Sequence, residues 1–118
     1  MKIQAVCLLL LIIYHTGASQ TFEQKHVTAA MTPAQCNDRM RVLNAGGKCQ
    51  ARNIFILGNL ADIRCVNNTP FTGRFRVVEC VVKKGVPAGT CEYEGKTMAG
   101  KELNIACRLG DPDYMMTM

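Results

Sequence analysis

The chain lacks several features that mark common protein classes. It contains no tryptophan, only 6% aromatic residues, no internal repeat and no low-complexity tract. With 48% hydrophobic residues it is too apolar for a disordered protein, and its 118 residues suffice for one domain but not for two. Acidic residues are also few, 9 against 14 lysines and arginines, and the resulting formal charge of +5 weakly favours anionic partners.

No hydrophobic run has the length of an ordinary membrane span. The longest, Ala5–Tyr14, holds about ten residues, whereas a spanning helix needs about twenty. It follows the basic Lys2 and precedes small residues at 16–19, which is the pattern of a secretory signal. We therefore predict a signal peptide over residues 1–19, one domain over residues 20–118, and a secreted, extracellular protein. A retained transmembrane helix is the alternative interpretation.

Closely spaced cysteines are absent as well. The six cysteines after residue 19 are at least 11 positions apart, with no C-x-x-C pair. Zinc sites in small domains usually take two ligands from one tight turn, so this spacing disfavours structural zinc, and we predict neither a metal nor a cofactor. An even cysteine count behind a signal peptide indicates three disulfides, for which 15 pairings are possible. These cysteines are Cys36, Cys49, Cys65, Cys80, Cys91 and Cys107.

Local patterns predict two helices near the start of the domain. A capping box and a proline within residues 32–35 begin a helix that ends near Leu43. A shorter helix over residues 21–27 would place Phe22 and His26 four positions apart on one face. An apolar anchor and an imidazole would then point into the same groove.

Strand patterns follow the helices. Runs rich in β-branched and aromatic residues predict strands over residues 53–57, 75–82, 91–94 and 103–108. A Gly- and Pro-rich loop at residues 83–89 separates neighbouring strands, and residues 60–63 form one or two helical turns. Helices first and antiparallel strands afterwards predict an α+β domain.

Six segments, in order along the chain, resemble the pancreatic-type ribonuclease (ribonuclease A) superfamily. They are Phe22–His26, Gln35–Met40, Cys49–Phe55, Asn59–Ile63, Glu79–Cys80 with Pro87–Tyr93, and Ile105–Cys107. The resemblance implies a ribonuclease A-like α+β fold, in which short N-terminal helices pack on a curved antiparallel sheet. It also implies three disulfides, joining Cys36 to Cys80, Cys49 to Cys91 and Cys65 to Cys107.

The resemblance also implies a chemistry. Members of this superfamily cleave RNA by attack of the ribose 2′-hydroxyl on the adjacent phosphate, which needs a base, an acid and a cation beside the phosphorane. His26 stands at the position of the first catalytic histidine. Lys25 stands where relatives carry a phosphate-contacting glutamine or lysine. We therefore expect His26 to be a remnant base and Lys25 to bind phosphate.

The cation of the catalytic set is replaced. Gln50 occupies the position of the catalytic lysine, and a neutral amide can donate a hydrogen bond but cannot neutralise the phosphorane. If the segment is extended, Lys48, Gln50, Arg52 and Ile54 share one face, so that Arg52 or Lys48 could reach the same phosphate. Ile54 replaces the threonine that reads a pyrimidine base, which puts base selectivity in doubt. Arg52 and Gln50 are thus candidate phosphate ligands.

The second catalytic histidine is missing. The resemblance places it about ten residues after the last cysteine, where this chain has residues 110–118, with Met116 or Thr117 nearest the position. The only other histidine, His15, belongs to the predicted signal. Asp111 and Asp113 are expected to be exposed loop carboxylates and not a substitute acid. Two of the three catalytic groups are therefore absent.

Three functions fit these observations. The favoured one is a secreted, noncatalytic or severely impaired member of the superfamily. It would be a monomer that binds RNA, other polyanions or an anionic cell surface, with the host-defence role that the resemblance implies. The alternatives are a weak endoribonuclease that uses His26, and a secreted ligand of a protein receptor that offers Met115 and Met116 as exposed contacts. Asn67, in Asn67-Asn68-Thr69, is a possible glycosylation site, although the following Pro70 disfavours its use.

Overall fold

The computed structural model describes residues 20–44, 48–84 and 91–117, and only the backbone of Thr117. The predicted signal peptide, the glycines that follow the second predicted helix and most of the predicted loop at 83–89 lie outside these ranges. Within them, no helix is long and apolar enough to cross a bilayer.

The first helix, α1, covers Phe22–His26 and begins at a reciprocal cap. The Thr21 hydroxyl accepts a hydrogen bond from the Gln24 amide nitrogen (3.1 Å), and the Gln24 side chain accepts one from the Thr21 nitrogen (2.9 Å). Phe22 and His26 are both buried, as their spacing predicts, with ring centroids 4.9 Å apart. The cap fixes the helix start and therefore the direction in which these rings point.

The second helix, α2, covers Cys36–Leu43 and follows a 3-10 turn over Pro33–Gln35. The Thr32 backbone nitrogen donates to Gln35 Oε1 at 2.8 Å, so the predicted cap forms, but the first turn is tighter than the predicted α-helix. Cys36 and Met40 are almost fully buried on one face. This face attaches α2 to the sheet.

The sheet has five strands in the order β1-β2-β3-β4-β5. Their bounds are Val27–Thr28 for β1, Arg52–Leu57 for β2, Phe71–Val82 for β3, Tyr93–Arg108 for β4 and Asp111–Thr117 for β5. A 3-10 turn at Leu60–Asp62 matches the predicted helical turn. Because β1 pairs with β2 in parallel and the other pairs are antiparallel, the sheet is mixed, which corrects the expectation of a purely antiparallel one.

Two predicted strands are parts of one. The runs at 91–94 and 103–108 were expected to be separate, but β4 is continuous over 16 residues. Gly95 lies within it because a Cβ there would come within 2.5 Å of the Pro33 carbonyl oxygen. The sequence interpretation also ended the sheet at residue 108, whereas β5 extends it, so Asp111 and Asp113 are exposed strand residues.

Side chains on the two faces of the sheet form two cores. The α1 face holds Phe22, Ile54, Ile56, Ile63, Val77, Leu103 and Ile105. The α2 face holds Met31, Cys36, Met40, Phe55, Val78, Cys80 and Tyr93. Disulfides join Cys36 to Cys80, Cys49 to Cys91 and Cys65 to Cys107, which is the pairing that the family resemblance implies.

Candidate functional site

His26 ends α1 and is held against β2. It is 7% exposed, and its Nδ1 lies 2.9 Å from the carbonyl oxygen of Ile54. Because a carbonyl oxygen can only accept, Nδ1 must carry the hydrogen, which leaves the lone pair of the neutral ring on Nε2. This tautomer gives the imidazole a defined basic atom.

The surroundings of His26 favour its neutral form. Burial lowers the pKa of His26 below its usual value of 6.5; the hydrogen bond to Ile54 opposes this shift, and the positive charge of Lys25 adds to it. A ring that is neutral at neutral pH can accept a proton, which a general base must do. The group at the expected base position is therefore in the protonation state that a base needs.

Lys25 precedes His26 and is half-buried. Its backbone carbonyl oxygen accepts a hydrogen bond from Asn53 Nδ2 at 2.9 Å, and Asn53 is 3% exposed. With the bond from His26 to Ile54, this contact fastens the end of α1 to β2 at two adjacent positions. The loss of either bond would move the imidazole relative to the sheet.

Gln50 does not extend the strand toward His26. It precedes β2, and its side-chain amide donates to the carbonyl oxygen of Leu43 at 3.2 Å, while its backbone nitrogen donates to Asn44 Oδ1 at 3.1 Å. The first bond satisfies a backbone carbonyl group at the end of α2 that has no partner within the helix, and the second ties the Gln50 backbone to the residue that follows α2. The strand begins only at Arg52, so the condition under which Lys48, Gln50 and Arg52 would share one extended face is not met before Arg52.

Arg52 lies on the same face of the sheet as Ile54, since the two are two positions apart in β2. Its Nε lies 2.5 Å from Glu79 Oε2. The Arg52 side chain is 41% exposed and that of Glu79 is 11% exposed. Arg52 is thus the cation of β2 on the α1 face, and it is held by a nearly buried carboxylate.

The C-terminal strand brings no imidazole to this face. His26 is the only histidine in residues 20–118. Met115 pairs with Ile105 and packs against the core that contains Phe22, whereas Met116 is 49% exposed beside Tyr114. Of the two methionines expected to be exposed, Met116 is exposed and Met115 is half-buried, because alternate residues of a strand point to opposite faces.

Sequence reasoning missed two residues that build this region. Glu79 was recognised only as part of a family segment, although a carboxylate within a run of valines is a signal that it has a partner. Tyr93 is buried, and its hydroxyl donates to the carbonyl oxygen of Gln50 (2.6 Å) and accepts from Asn44 Nδ2 (2.9 Å). Tyr93 thereby links β4 to the end of α2 and to the segment that leads into β2.

The fold agrees with comparison to known families. The family model described as pancreatic ribonuclease matches residues 17–117. The chain therefore belongs to the pancreatic ribonuclease family, and the predicted ribonuclease A-like α+β fold is confirmed.

Individual relatives are angiogenins and ribonucleases. Angiogenin-2 of Bos taurus is 30% identical over 112 residues, covering 83% of this chain and 90% of the relative. Angiogenin of Saguinus oedipus is 29% identical over 91 residues, covering 68% of this chain and 62% of the relative, so this chain spans less than two thirds of that protein.

Solved structures of ribonucleases share the fold. SS-RNase-2 des116-120 has a TM-score of 0.66 and 29% identity, with 82% of this chain and 95% of that chain covered. Zebrafish RNase5 has a TM-score of 0.67 at 24% identity, with 82% and 90% covered, and this likeness supports the fold alone. The chain is thus an angiogenin-like member of the family.

Proposed function

We propose that this protein is a secreted member of the pancreatic ribonuclease family that binds RNA or other polyanions and has lost most or all catalytic activity. One observation carries the proposal: the domain has a single imidazole, His26. In-line transphosphorylation needs both a base and an acid, and each proton transfer contributes about 10² to 10⁴ in rate. A site that keeps the base but lacks the acid can still bind a phosphate of RNA, but it cannot cleave the RNA efficiently.

Phosphate binding in this proposal uses the groups around His26. Lys25 and Arg52 supply positive charge, and Gln50 remains a candidate ligand only if its amide leaves the end of α2. Outside the site, Arg39 is committed to Thr28 and Ala30 by hydrogen bonds and Arg41 to Asp38 by an ion pair. Other exposed cations supply the remaining attraction for a polyanion, among them Lys83, Lys84 and Lys96.

The setting of the protein belongs to the same proposal. Three disulfides fit an oxidising, extracellular compartment reached through a signal peptide at residues 1–19. The proposal also includes binding to an anionic cell surface, a role in host defence and a monomeric state. Asn67 is exposed in a turn with φ 51°, and its glycosylation stays a prediction.

Titration of the purified protein with labelled single-stranded RNA tests the binding. We expect saturable binding that is nearly independent of sequence, is displaced by heparin and weakens as salt is raised. Absence of binding at low salt, or binding that heparin does not displace, would refute the proposal. The absence of both RNA and heparin binding would instead favour the receptor-ligand function.

A weak endoribonuclease is the second candidate, because His26 is a neutral, well-oriented base. In that case a tail carboxylate must act as the acid in place of the second histidine, or Arg52 must supply the positive charge of the missing lysine. Cleavage of RNA that His26→Ala abolishes would favour this candidate, and equal cleavage by both proteins would eliminate it.

A further inference from the structure

A carboxylate lies on the face of the sheet that carries the candidate site. Glu79 pairs in register with Ile54, the residue whose carbonyl oxygen is bonded to His26. Directly opposed residues of neighbouring strands share a face, so Glu79 and Arg52 both lie on the α1 face with Ile54. An anionic ligand bound on this face at Ile54 would therefore meet the Arg52 guanidinium and the Glu79 carboxylate together.

The two partners differ in exposure. The Glu79 side chain is 11% exposed and that of Arg52 is 41% exposed. A nearly buried carboxylate is strongly destabilising without a cation or hydrogen-bond donors, whereas an arginine at the surface can exchange its partner for water or for another anion. The need for the ion pair thus comes mainly from Glu79.

We propose that Glu79 is a positioning residue that withholds Arg52 from anionic ligands, so that a phosphate must compete with this carboxylate for the guanidinium. Carboxylates and phosphates accept hydrogen bonds from the same donors of arginine, which makes the competition direct. The inference rests on the proposed function, because it describes how tightly that same site binds phosphate.

The neighbouring strand offers Glu79 a second cation. Lys96 is its register partner in β4, and the two residues line a hollow of about 400 Å³ with Val81, Glu94 and Gly95. When Arg52 turns toward a phosphate, Lys96 can take its place beside Glu79 and limit the cost of exposing the carboxylate. Glu94 lies on the same hollow, is exposed, and offers a matched control of the same charge.

Inorganic phosphate is the probe that tests this inference without RNA. The NMR signals of the His26 ring report phosphate binding. We expect Glu79→Gln to tighten this binding by about twofold to fivefold, which is the range of a typical surface ion pair. Glu94→Gln makes the same change in net charge and should have a smaller effect. Equal effects of the two substitutions would overturn the inference.

Two further variants separate positioning from charge and from folding. Glu79→Asp keeps the charge but shortens the side chain, so it should also tighten phosphate binding, and an unchanged affinity would contradict the inference. In an Arg52→Gln background, Glu79→Gln should have no more effect than Glu94→Gln, and a retained difference would overturn the inference. A failure of the unmodified protein to bind RNA would refute the proposed function and leave these phosphate comparisons valid.

Discussion

Replacement of Arg52 by glutamine should lower both the affinity for RNA and its dependence on salt. Lys25 directly precedes His26 in α1, and Arg52 lies in β2 two positions from Ile54, whose carbonyl oxygen is bonded to His26. For a single strand, each neutralised phosphate contributes about −0.7 to the slope of log affinity against log salt. Contacts from Lys25 and Arg52 contribute about −1.4 to this slope, which is a loss of about sevenfold in affinity between roughly 50 and 200 mM salt, and contacts from other exposed cations add to it. Arg52→Gln should make the slope less steep by about 0.7, so that the contribution of the site falls to a loss of about threefold.

Fluorescence anisotropy with a labelled oligonucleotide at several salt concentrations measures these slopes. Arg41→Gln is the matched control, since Arg41 is paired with the exposed Asp38 on α2, the helix on the other face of the sheet. Its slope should equal that of the unmodified protein. If Arg52→Gln left the slope unchanged while Arg41→Gln lowered it, the phosphate contacts would lie on α2, and the assignment of the site would be wrong.

Four other outcomes are expected. Because burial lowers the pKa of His26, the unfolded chain binds a proton more readily than the folded one, so the free energy of unfolding should fall as the pH drops below about 6.5. Urea unfolding at several pH values measures this fall, and an equal pH dependence in His26→Asn would contradict it. Gly95→Ala should destabilise the fold by about 1–3 kcal/mol, because its Cβ would clash with Pro33, and an unchanged Tm would refute this reading. Removal of the disulfide between Cys65 and Cys107 by paired alanine substitutions should lower the free energy of unfolding by roughly 4 kcal/mol in the chain-entropy model. Peptide mapping that found neighbouring cysteines joined would overturn the pairing itself. Gln50→Lys, alone or with Met116→His, should remain inactive in an RNA cleavage assay. The histidine at position 116 should not help, because Met116 is exposed on the face away from α1. Activity of the double variant would show that β5 presents residue 116 to His26.

The helices could be predicted because their signals are local. The cap at Thr32 marks where the second helical segment begins, and the spacing of Phe22 and His26 marks the buried face of α1. The cap at Thr21 is also local, but it was not predicted. The tight 3-10 turn before α2 was not predicted, since α and 3-10 starts share the same cap residues.

The strands were harder to predict, because their extent depends on partners distant in sequence. Gly95 and Gly100 interrupt the β-branched pattern of β4, yet the strand continues through both because β3 pairs with it on either side. Likewise, the acidic and proline residues at 111–113 suggest a loop, but pairing with β4 makes this segment a strand.

In the candidate site, the sequence identified the histidine and the missing groups but not how the remaining ones are engaged. The resemblance located His26, and its burial followed from its spacing to Phe22. The cap that Gln50 provides for α2 and the hold of Glu79 on Arg52 both join segments at least seven positions apart. No local pattern encodes such contacts.

Cleavage of single-stranded RNA by the unmodified protein and by His26→Ala, each purified free of contaminating nuclease, tests the central claim most directly. The account predicts that both proteins bind the RNA and that neither cleaves it faster than the other. Cleavage by the unmodified protein that His26→Ala abolishes would contradict the account, because a complete catalytic set would then exist without a second imidazole.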